Sequence, residues 1–180
     1  MPDAASNLQS PTPSRLRLVV MGVAGCGKSA VGERLAHVLG LPLVEGDSFH
    51  PPANVEKMRR GLPLQDQDRA GWLDALGGQL RGHEEGVVLT CSALKRAYRD
   101  RLRAAAPGLA FVHLVLTPAQ ARGRVAARSG HFYPPSLVDS QFAALEDPTG
   151  EPRVAGVDGS QPIERVVEQA LAALRSFNNA

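Results

Sequence analysis

With 180 residues, the chain has room for one ordinary domain with a substantial core and is too short for two. Its 43% hydrophobic and 21% charged residues exclude a disordered chain, and 20 basic against 18 acidic side chains, a net +2 without a basic block, argue against a nucleic-acid surface. Cys26 and Cys91 alone exclude a disulfide framework or a Cys/His zinc site and fit a reducing, cytoplasmic setting, while no apolar run approaches the roughly 18 residues of a membrane span.

Residues 1–14 are rich in Pro, Ser, Asn and Ala and lack an apolar segment, so they are expected to form a flexible tail, not a signal peptide, ahead of a single domain over 15–180. Residues 16–21 form a short apolar run that ends in a glycine-rich turn. Val31, Leu35 and Val38 then recur at helical spacing up to Gly40, which predicts strand, loop and helix in that order. A second apolar stretch, 41–44, ends at Glu45-Gly46-Asp47. Pro51-Pro52 opens a helix over 53–60 that stops at Gly61, and Leu73, Leu76 and Leu80 give the next helix one apolar face despite Gly77-Gly78. Strands are predicted at 87–90, ending on Cys91-Ser92, at 111–116 and, more weakly, at 154–157. The last helix carries Ile163, Val166, Val167, Ala170, Leu171 and Leu174. Strands alternating with helices predict an α/β fold: about five parallel strands with helices on both faces, and ligands gathered at the carboxyl ends of the strands.

Gly22, Val23, Ala24, Gly25, Cys26, Gly27, Lys28 and Ser29 match G-x-x-x-x-G-K-[ST] in full, directly after a predicted strand and at the start of a predicted helix. In that context the backbone N–H groups form a nest for phosphates, and the helix N-terminus adds partial positive charge. Lys28 is expected to bridge the β and γ phosphates of ATP and Ser29 to supply an oxygen to Mg²⁺. Asp74-Ala75-Leu76-Gly77 and Asp147-Pro148-Thr149-Gly150 both fit D-x-x-G, but neither ends a predicted strand and no N-K-x-D accompanies them, which argues against a GTPase. Larger ATPase motors end an apolar strand on an acidic Mg²⁺ residue, whereas 87–90 runs into Cys91-Ser92. Size and that absence favour a small-molecule kinase.

Further blocks narrow the class. Gly46-Asp47-Ser48-Phe49-His50-Pro51-Pro52, Asn54 with Lys57-Met58, Gly61-Leu62-Pro63-Leu64-Gln65-Asp66-Gln67-Asp68-Arg69, Trp72-Leu73, Cys91-Ser92-Ala93-Leu94-Lys95-Arg96, Arg128-Ser129-Gly130-His131-Phe132 and Gln141-Phe142-Ala143-Ala144-Leu145-Glu146 occur in this order, and the chain over about 16–174 resembles the gluconokinase family. The resemblance implies a P-loop NTPase three-layer sandwich like those of shikimate and adenylate kinases. It also implies transfer of the ATP γ-phosphoryl group to the 6-hydroxyl of D-gluconate in the cytoplasm, and a possible homodimer. The rival readings are a kinase of the same build acting on shikimate or a nucleoside monophosphate, and a non-catalytic nucleotide-binding protein.

On the acceptor side, Asp47 ends the second strand on the rim of the phosphate loop. It is the first choice for the group that receives the hydroxyl proton, with turn capping or a Mg²⁺-bound water as its alternative roles. His50, held extended before Pro51, is a donor to a sugar hydroxyl or a packing residue. Asn54, Lys57 and Met58 share one helical face, so Asn54 and Lys57 are expected at the substrate, with Lys57 a receptor for its carboxylate. Lys95 and Arg99, four apart beside the apolar stripe of Leu94, Tyr98 and Leu102, are expected to carry two cations toward the cleft. Gln141 and Arg69 are further contributors, and Trp72 is expected in the core. Arg124 and Arg128, also four apart, precede a stretch rich in breakers. This predicts a lid near 124–138 that swings one or both guanidiniums onto the phosphates, with Arg128 stabilising the transition state.

Overall fold

The computed structural model describes residues 16–128 and 134–178; the tail expected over 1–14 lies outside them. Strands β1 (Arg17–Met21), β2 (Leu43–Glu45), β3 (Val87–Thr90), β4 (Ala110–Val115) and β5 (Val154–Asp158) form one sheet in the order β2-β3-β1-β4-β5. Every pairing is parallel. The connecting helices are α1 (Lys28–Leu39), α2 (Pro52–Arg59), α3 (Asp66–Gly82), α4 (Arg96–Ala105), α5 (Pro118–Ala127), α6 (Ser136–Ala144) and α7 (Ile163–Asn178), with a 3₁₀ turn over Gly46–Phe49.

Buried apolar runs make these strands because both faces of the sheet are covered. Along β1, Leu18 and Val20 point into a core shared with Val31 and Leu35 of α1 and Val166, Ala170 and Leu174 of α7. Val19 and Met21 point the other way, onto Trp72, Leu73, Leu76 and Leu80 of α3 and Tyr98 and Leu102 of α4. The three layers and five strands predicted from the sequence are therefore present. Strand β2 starts two residues later than expected, because Leu41 still belongs to the end of α1, where its N–H donates to Ala36 O at 2.9 Å.

Register places the site. Val20 of β1 and Glu45 of β2 both lie opposite Thr90 of β3, so the carboxyl ends of the three strands share one rim. The glycine-rich loop, the 3₁₀ turn and the β3–α4 connection all leave from that rim.

Candidate active site

Between β1 and α1 the chain turns through Gly25 and Gly27, both in the left-handed region with φ of 80° and 95°. Gly27 precedes α1 without a side-chain cap, so the N–H groups of the first helical turn are left for a ligand. Lys28 Nζ folds back across the loop, donating to Gly22 O at 3.0 Å and Val23 O at 3.1 Å. Cys26 is buried at 1% exposure and packs in the core.

Beside the loop lies a carboxylate for which the sequence argument had searched on the wrong strand. Glu45, the last residue of β2, accepts from Ser29 Oγ at 3.1 Å and from Thr90 Oγ1 at 2.6 Å through the same oxygen. Its neighbour Gly46 lies so close to β3 that a Cβ would sit 2.0 Å from Thr90 O, a separation only glycine permits. Gly46 N donates to Thr90 Oγ1 at 3.2 Å, and Trp72 Nε1 donates to Gly46 O at 2.8 Å. That clamp fixes the backbone between Glu45 and Asp47.

A cleft of about 390 Å³ runs from the phosphate loop to this acceptor side and is lined by Lys28, Ser29, Asp47, His50, Arg69 and Lys95, among others. Asp47 is exposed to it, with Oδ1 3.8 Å from His50 Nε2. His50 has a side chain only 4% exposed and stacks on Trp72, with ring centroids 4.1 Å apart. Asn54 Nδ2 donates to Asp68 O at 2.8 Å and faces His50 Nδ1 at 3.3 Å. An amide N–H₂ can only donate, so His50 Nδ1 accepts and the ring proton sits on Nε2, facing Asp47. Burial pushes the His50 pKa down to about 4; Asp47 opposes that shift and Arg69 adds to it. His50 is therefore a neutral donor at neutral pH.

The cations of the cleft differ in what they already hold. Lys95 Nζ donates to Asp66 Oδ1 at 2.7 Å, and the Tyr98 hydroxyl donates to the same oxygen. These two donors, Lys95 foremost, hold the Asp66 carboxyl below the usual carboxylate range. Arg69 is 8% exposed and lies 5.7 Å over the Tyr98 ring. Its guanidinium makes no hydrogen bond or ion pair among the described residues, and it faces the cleft. On the closing side, Arg128 is exposed at the end of α5 and lines the cleft. Gln141 of α6 is 9% exposed, and its Oε1 accepts from Ala24 N at 2.6 Å.

A model of the AAA domain family matches residues 18–148. The chain is 48% identical over 159 residues to the gluconokinase of Gluconobacter oxydans (strain 621H), an alignment covering 86% of this chain and 88% of that protein. The chain belongs to the gluconokinase family. A solved gluconokinase from Sinorhizobium meliloti 1021 superimposes with a TM-score of 0.85 at 50% identity, covering 92% of this chain and 95% of that one. Shikimate kinase from Aquifex aeolicus vf5, at 19% identity, a TM-score of 0.63 and coverage of 91% and 98%, shares the fold alone.

Within this gluconokinase-family cleft, four expected contacts take a different place. Arg99 is not a cleft cation. It is fully buried; Nε and Nη2 bind Glu151, with the shortest contact at 2.5 Å, while Nη1 donates to Ala93 O at 2.8 Å and Leu94 O at 2.9 Å. Glu151 lies 52 residues away, in a loop after α6 that helical spacing does not locate. Lys57 gives its ammonium to both oxygens of Asp68, at 2.8 and 2.9 Å, and Asn54, 3% exposed, orients His50 from behind; neither lines the cleft. Arg124 donates to Gly159 O at 2.8 Å, tying α5 to the turn after β5, so of the two lid arginines only Arg128 lines the cleft. The lid segment 129–133 lies outside the described residues.

Proposed function

We propose that the protein transfers the γ-phosphoryl group of MgATP to the 6-hydroxyl of D-gluconate, giving 6-phosphogluconate and ADP. The observation that carries this reading is the pairing, in one cleft with the phosphate loop, of an exposed carboxylate, Asp47, and an unpaired guanidinium, Arg69. An open-chain polyol acid needs both: a proton acceptor at its primary alcohol and a cation at its carboxylate.

In the reaction the bond from the γ-phosphorus to the β–γ bridging oxygen breaks and a bond to O6 forms. Asp47 orients the O6 hydroxyl and receives its proton, with the carboxylate acting late because a loose phosphoryl transition state asks little of the nucleophile. His50 donates from Nε2 to a substrate oxygen, and its neutral state avoids attracting the substrate carboxylate to the wrong end. Arg69 takes that carboxylate, with Lys95 and Tyr98 beside it through Asp66. Lys28 and the N–H groups of the loop hold the phosphates, and Arg128 neutralises charge on the transferring group from a lid spanning 124–138. The hydroxyl of Ser29 and the carboxylate of Glu45 are hard oxygen donors 3.1 Å apart, which fits Mg²⁺ with its remaining positions on water and phosphate. Bound there, Mg²⁺ supplies neutralisation of the β and γ oxygens.

Two buried, free cysteines support a reducing cytoplasmic setting, and among the described residues no helix is long and apolar enough to cross a membrane. The family expectation of a homodimer is open to light scattering. ADP release measured with gluconate, shikimate and nucleoside monophosphates tests the function: gluconate is expected to stimulate it far above the others, and equal or absent stimulation by gluconate overturns the reading.

A further inference from the structure

Gln141 holds a position that neither a substrate-binding nor a packing role explains. It sits on α6, behind the lid segment, and it is tied not to the acceptor side but to the phosphate loop itself. The Ala24 N–H donates to it at 2.6 Å. A backbone N–H can only donate, so the contact settles which end of the side-chain amide is oxygen. The planar amide then leaves Nε2, with two N–H donors and no acceptor among the described residues, on a side chain that lines the cleft beside Ala24 and Ser140. Buried amides are normally satisfied at both ends. A group fixed at one end by the loop and open at the other is aimed at a ligand oxygen.

We propose that the Gln141 amide donates a hydrogen bond to an oxygen of the phosphoryl group in flight, with Ala24 N–H serving as its orienting partner. The site of transfer is bounded by the loop on one side and Asp47 on the other, and Gln141 hangs from the loop side. Its donor is rigid because its acceptor end is held, and a donor that needs no reorganisation is worth most where charge is spread over the equatorial oxygens. No bond to Gln141 is made or broken. The tie also gives α6 a reason to follow the loop, so the helix that bears the end of the lid is registered to the phosphates through one side chain.

The inference rests on the gluconate kinase reading, and the test separates the two. Gln141→Glu keeps an oxygen for Ala24 N–H and replaces the donor by an anion; Gln141→Met removes both functions while preserving bulk. Each variant is compared with the wild-type protein in steady-state kinetics with gluconate and MgATP, after its circular dichroism and ADP binding are matched to wild type. Gln141→Glu is expected to lose kcat by about 10²-fold or more, the usual effect of removing one preorganised donor, with the KM for gluconate within about threefold of wild type. Gln141→Met is expected to lose kcat by a similar factor. Near-normal kcat for Gln141→Glu alongside an impaired Gln141→Met leaves Gln141 a latch of the loop and overturns the proposal. A raised KM for gluconate at unchanged kcat overturns it as well, by moving the contact to the acceptor. If either variant fails to fold, the other still discriminates, because each predicts a kcat loss without a KM change. Wild-type protein without gluconate-dependent turnover removes the functional reading instead, whatever the variants do.

Discussion

Removing the Arg69 guanidinium separates substrate recognition from stability, because the side chain has little to lose in the free protein. It makes no ion pair or hydrogen bond among the described residues, so Arg69→Met strands no counter-ion; the loss is the contact over Tyr98 at 5.7 Å, worth about 0.5–1 kcal/mol. At the substrate the balance is different. A charge-assisted bond to a carboxylate in a partly desolvated cleft contributes about 2–3 kcal/mol, which is roughly a 30–160-fold fall in kcat/KM for gluconate. The KM for ATP should stay within about twofold, since Arg69 lies on the acceptor side. Lys95→Met is the paired control. Its ammonium is already spent on Asp66, and Tyr98 remains to hold that carboxylate, so its effect should stay below about tenfold. Coupled-assay kinetics on both variants, with thermal melts alongside, give the comparison. If Arg69→Met keeps wild-type kcat/KM while Lys95→Met loses it, the carboxylate sits on Lys95 and the reasoning from unpaired charge is wrong.

Lys28→Ala should lower kcat by about 10³-fold with gluconate affinity, measured calorimetrically, close to normal. Asp47→Asn should lower kcat by about 10²–10⁴-fold with little change in KM, and small equal changes in both would make the carboxylate a bystander. Arg99→Met leaves Glu151 buried without its main partner and should destabilise by about 3–5 kcal/mol, read as a fall in the urea midpoint. His50 is neutral in the fold with a pKa near 4 against 6.5 for the free side chain. The unfolded chain therefore takes up the proton first, and stability should fall as pH drops from about 6.5 toward 4 and level off below that. Urea titrations of wild type and His50→Gln across this window check it, the variant losing that slope.

The phosphate loop and the five-strand frame were legible because each has a local signal: a fixed glycine spacing, and apolar runs whose two sides both find helices. The acceptor site was legible in part. Asp47 and His50 follow a strand end directly, and both line the cleft. The cations were harder, since a sequence displays charges but not their partners. Lys57 faces Asp68 and Arg99 faces Glu151 across long separations, so spacing along one helix overstated both. Arg69 was underrated for the converse reason, because being unpaired is a property of the fold. Glu45 had a readable signal, an acid at the end of an apolar stretch, but it was sought on β3; only the order β2-β3-β1 brings it to Ser29.

The most direct measurement is ³¹P NMR of the product formed from ATP, Mg²⁺ and D-gluconate by the purified protein. The expected result is a gluconate-dependent phosphomonoester signal coupled to the C6 protons, appearing as the γ-phosphate signal of ATP declines. Phosphate transferred to another carbon, or ATP consumed to inorganic phosphate at a rate that gluconate leaves unchanged, would contradict it.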